Sequence, residues 1–135
     1  MNISTFDDLL QAASQQSQPQ RLLFVFARAE LPEGSTELQR ADFLQGHGGA
    51  LVPVMAVDKL PQELKSFAAL EVESRSFGED WSLVFAAAMS GQSGEAPSSE
   101  SAEKPLQQMV EAIKAGSLGT FIPFNRKGEA VSLNS

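Results

Sequence analysis

The sequence predicts an α/β or α+β fold: a single layered domain spanning 1–135, with an about five-stranded mixed sheet packed by helices and closed by a C-terminal β-hairpin. Three observations predict it. Leu22–Ala27 (LLFVFA) and Trp81–Met89 are apolar almost throughout, as strands covered on both faces are. Phe6, Leu9, Leu10 and Ala13, and again Leu106, Met109, Val110 and Ile113, recur at helical spacing. Strand-like and helix-like segments alternate along the chain without a repeat, which is the order of a layered domain.

The elements follow in turn. Residues 5 to 16 read as a helix, with Ser4 or Thr5 as its cap and Asp7 and Asp8 favouring its positive end. Gln15–Gln20 contains Pro19 and separates this helix from the strand Leu22–Ala27. Leu31–Gly34 is a turn, after which Thr36 and Gln39 suit the start of a helix carrying Leu38, Ala41 and Leu44 and ending at Gly46. The second strand is Ala50–Val57, and its Pro53, which cannot donate to a ladder, argues for a sheet edge or a bulge. Pro61 opens a short helix around Gln62–Lys65. Phe67, Leu70, Ser74 and Phe77 give helical spacing up to Gly78, although Leu70–Glu73 also alternates as a strand would.

Trp81–Met89 is the third strand. Ser90–Lys104, rich in Ser, Gly, Glu, Ala and Pro, reads as a flexible internal loop. The next helix is Pro105–Ala115, with proline in its first turn and Gly116 closing it. Leu118–Phe124 and Ala130–Leu133 read as two strands joined by the turn Asn125–Gly128.

Composition narrows the function. Ten Lys plus Arg against 17 Asp plus Glu give a net charge of −7, which repels nucleic acid and anionic lipid surfaces. Arg126-Lys127 is the only adjacent basic pair. The chain has no cysteine, so disulfides, thiolate ligands and cysteine nucleophiles are excluded. The first residues lack the basic and apolar regions of a signal peptide, and no apolar run approaches membrane-spanning length. A soluble cytoplasmic protein is expected, with no nucleic-acid or membrane partner.

Chemical motifs are few. His47, the one histidine, lies in Gly46-His47-Gly48-Gly49. A phosphate cradle runs strand, glycine-rich loop, helix; here the glycines follow a helix and lead into a strand, so they serve a turn. One histidine cannot build a multi-histidine metal site, and neither a metal nor a cofactor is expected. Met89–Gly94 invites comparison with a serine-hydrolase elbow, but the glycine spacing around Ser93 fails and the histidine precedes the serine. Asp58, Glu79 and Asp80 stand at strand ends or turns, where solvated turn roles are ordinary. Trp81 suits packing or a ligand platform. The catalytic candidates are therefore His47, Asp58 and Asp80; for ligand contact they are Gly46, His47, Gly48, Gly49 and Trp81.

The stretches QRLLFVFARAELP, GHGGALVPVMAVDKLP, DWSLVFAAAMSG, PLQQMVEAIKAG and FNRKGE together resemble a small family of proteobacterial proteins that often carry the label "ribonucleotide reductase subunit alpha". The reductase's large subunit needs a cysteine for its thiyl radical and a cysteine pair for electrons. A cysteine-free chain cannot be that catalytic subunit, and the label suggests at most an accessory partner. The sequence thus points to a non-catalytic module that binds a protein partner, itself as a homodimer, or a ligand. The alternative is a small enzyme or metabolite sensor using His47 with Asp58, Glu79 or Asp80.

Overall fold

The computed structural model describes residues 3–30, 50–64, 66–78, 80–118 and 121–131. Helix α1 (Phe6–Ser14) starts where the sequence requires. The Thr5 hydroxyl accepts the Asp8 N–H, and the Asp8 carboxylate accepts the Thr5 N–H, a reciprocal cap. Four strands follow: β1 (Gln20–Glu30), β2 (Ala50–Lys59), β3 (Leu83–Ser90) and β4 (Ile122–Phe124). They lie in the order β2-β1-β3-β4, and each neighbouring pair is antiparallel. The described fold is therefore α+β, with four antiparallel strands in place of the expected five in a mixed sheet.

Strand β1 explains both the success and the error. Its side chains alternate between the faces. Leu22, Phe24 and Phe26 pack with Phe6 and Leu9 of α1, Leu70, Trp81 and Phe124. Leu23, Val25 and Ala27 pack with Phe85, Ala102, Met109 and Ile113 on the opposite side. A continuous apolar run demands cover on both faces, and helices on either side of an antiparallel sheet supply it as well as a parallel arrangement would.

The expected C-terminal hairpin, Leu118–Phe124 with Ala130–Leu133, is not shown as such, because 119–120 and 132–133 lie outside the described residues. Beyond the Asn125–Gly128 turn, Ala130 makes a single bridge to Phe124, and no strand follows among the described residues. This segment also meets the N-terminal residues: Thr5 bridges Glu129, the Phe6 N–H reaches the Gly128 carbonyl at 2.8 Å, and the Ala130 N–H reaches the Ser4 carbonyl at 2.8 Å. On its other edge the same segment meets β4, the Asn125 N–H reaching the Glu129 carbonyl at 2.9 Å and the Val131 N–H the Pro123 carbonyl at 3.0 Å, so it is held between β4 and the start of α1.

Pro53 lies as its chemistry requires, on the edge strand of the described sheet and beside a bulge. Phe26 faces Met55 while Ala27 faces Pro53, leaving Val54 as the extra residue. Consecutive Val54 and Met55 consequently both pack on the α1 side of the sheet.

A single 3-10 turn (Pro61–Glu63) leads to α2 (Phe67–Arg75), capped by the Ser66 hydroxyl. The Leu70–Glu73 ambiguity is settled as helix, with Leu70 and Ser74 buried. Helix α3 (Ser99–Lys114) begins well before the expected Pro105, so the segment read as a loop from Ser90 to Lys104 contains its first turns. The Ser98 hydroxyl caps the Ser101 N–H, and fully buried Ala102 extends the stripe of Met109 and Ile113 back by two turns. Ahead of α3, Gln92 and Glu95 exchange N–H···O bonds of 3.0 and 2.9 Å, and Ser93 takes a φ of 54° at the turn between them. The expected turn at 31–34 and the helix after it lie outside the described residues.

Candidate functional site

His47, its neighbours Gly46, Gly48 and Gly49, and Glu79 lie outside the described residues. The structure places the other sequence candidates in two separate networks. Asp58, near the end of β2, accepts from Arg21 Nη1 at 2.6 Å and from Ser99 Oγ at 2.8 Å, while Arg21 Nε donates to the Pro97 carbonyl at 2.6 Å. The Arg21 and Asp58 side chains are only 12% and 20% exposed. This clip ties β1 and β2 to the start of α3.

Trp81 and Asp80 belong to the second network. The Trp81 ring is buried, and its indole N–H donates to Ser74 Oγ at 2.9 Å. The Arg126 guanidinium lies 4.3 Å from the ring centroid, a cation–π contact. Arg126 also donates to the Trp81 carbonyl at 2.9 Å, to the exposed Asp80 carboxylate at 3.0 Å and to Glu71 Oε1 at 2.7 Å. Arg75 holds the other Glu71 oxygen at 2.8 Å. Hydrogen bonds from Arg75, then from Arg126, keep the Glu71 carboxyl below its ordinary pKa.

Asp58 and Asp80 share no partner, so the structure does not bring these two candidates together. Among the described residues, no group of three His, Asp or Glu side chains converges to hold a metal ion.

Next to the Trp81 network lies an open cleft of about 650 Å³ between the starts of α1 and α2 and the 126–129 segment. Partly buried Phe67 lines it, its ring centroid 5.2 Å from that of the core residue Phe6. Gly128, at φ +80°, closes against Phe67: a Cβ there would sit 2.8 Å from the ring's Cγ, so both the backbone and the contact require glycine. The Asn125 side-chain oxygen accepts the N–H groups of Lys127 and Glu129, fixing the turn that presents Arg126 and Lys127. The lining carries Arg75, Arg126 and Lys127 against Asp7, Glu71 and Glu129.

Sequence reasoning singled out Trp81 and the Asn125–Gly128 turn, but not the cleft they help to build. The available signal was the adjacent pair Arg126-Lys127 on a turn ending in glycine. No family model, curated protein or solved structure matches the chain.

Proposed function

We propose that the chain is a non-catalytic binding module that contacts a protein partner or a small ligand at the cleft between α1, α2 and the 126–129 segment. The observation that carries this reading is how the described candidate groups are spent. Asp58 is engaged by Arg21 and Ser99, Asp80 by Arg126, and the Trp81 indole by Ser74. General acid–base chemistry needs a group within reach of a substrate and free to exchange a proton; Asp58 and Trp81 hold elements together, while Asp80 stands exposed on the surface beside Arg126. The cleft has the size of small-molecule sites and combines the Phe67 ring with a charged rim.

The net charge of −7 supports partners other than nucleic acid or anionic membranes. Among the described residues no helix is long and apolar enough to cross a membrane. A second copy of the chain is one partner to test.

Lys127 provides a clean test, because its ammonium forms no ion pair among the described residues and its loss should leave the fold intact. Thermal-shift screening of metabolites and short peptides, with sedimentation to detect dimers, should find a binder or self-association that stabilises the wild type. Lys127→Ala should weaken that interaction about 2- to 5-fold, in keeping with the loss of one exposed charged contact. Binding unchanged in Lys127→Ala, or turnover of the bound compound, would overturn the reading.

A further inference from the structure

No further inference is drawn: the strongest candidate, the cleft between the starts of α1 and α2 and the 126–129 segment, belongs to the site already described, and its balanced lining of three cations and three carboxylates leaves nothing in the structure to show which ligand covers it.

Discussion

Replacing Ile113 by alanine tests whether α3 is a core element or a detachable interaction helix. Ile113 is 1% exposed and packs in the cluster formed by Leu23, Val25, Ala27, Phe85, Ala102 and Met109. The substitution removes about three methylene equivalents at about 0.8 kcal/mol each, hence about 2.4 kcal/mol of transfer free energy. A partly collapsed cavity adds to this and brings the total to about 3 to 4 kcal/mol. With an unfolding entropy near 2.1 cal/mol/K per residue, 135 residues give about 0.28 kcal/mol/K, so the melting temperature should fall by about 11 to 14 °C. Fluorescence of the single tryptophan, Trp81, reports unfolding because the ring leaves a buried site. Urea melts should show a lower midpoint at unchanged slope, with sedimentation unaltered. A folded variant of equal stability, or one whose only defect is loss of a dimer, would refute the core assignment.

Three further outcomes are expected. Gly128→Ala should cost about 1 to 3 kcal/mol from the left-handed backbone alone, with more from the contact at Phe67, and an unchanged melt would show that the turn adapts freely. Pro105→Ala should stabilise the chain by about 2 kcal/mol: an interior helix proline costs about 3 kcal/mol, and about 0.4 to 1 kcal/mol of unfolded-state restriction is lost with it. A lower melting temperature in that variant would mean that the ring packs usefully where it stands. Glu71 and Asp8 are both held below their ordinary values of 4.5 and 3.8, Glu71 by Arg75 and Arg126 and Asp8 by the backbone N–H groups of Ser4 and Thr5. Their contribution is complete above those ordinary values and is lost as pH falls through the depressed ones. Glu71→Gln should flatten the acid limb of a melting-temperature profile, and an acid limb identical to wild type would count against the Arg75–Glu71–Arg126 bridge.

Local chemistry made much of this fold legible. The Thr5 cap, the two-sided burial of Leu22–Ala27 and the edge position of Pro53 each follow from a residue and its immediate neighbours. Strand direction does not, because apolar runs record how many faces are covered and say nothing of what a strand pairs with. The start of α3 was hidden for a different reason. Ser99–Lys104 looks like a solvated loop by composition, and only the burial of Ala102 beneath a distant sheet reveals its helical phase. The candidate site was legible by name but not by role. Asp58 and Asp80 stood out as carboxylates, yet their partners Arg21 and Arg126 lie 37 and 46 residues away, and nothing local assigns them to one another. The cleft is less legible still, since it needs three segments that meet only in the folded chain.

The bridge between Thr5 and Glu129 gives the fold a temporal order. Helix α1 is encoded first among the described elements and has a strong local cap, so it can form early and fleetingly. Its apolar face nonetheless remains without a finished seat until residues 125–130 have been synthesised, because Phe6 rests on Gly128 and Phe124 as well as on β1. Contacts of such long sequence separation are entropically expensive to close and make for slow folding. On the ribosome, Phe6 and Leu9 therefore stay available to chaperones, or to neighbouring nascent chains, for nearly the whole passage of the described sequence.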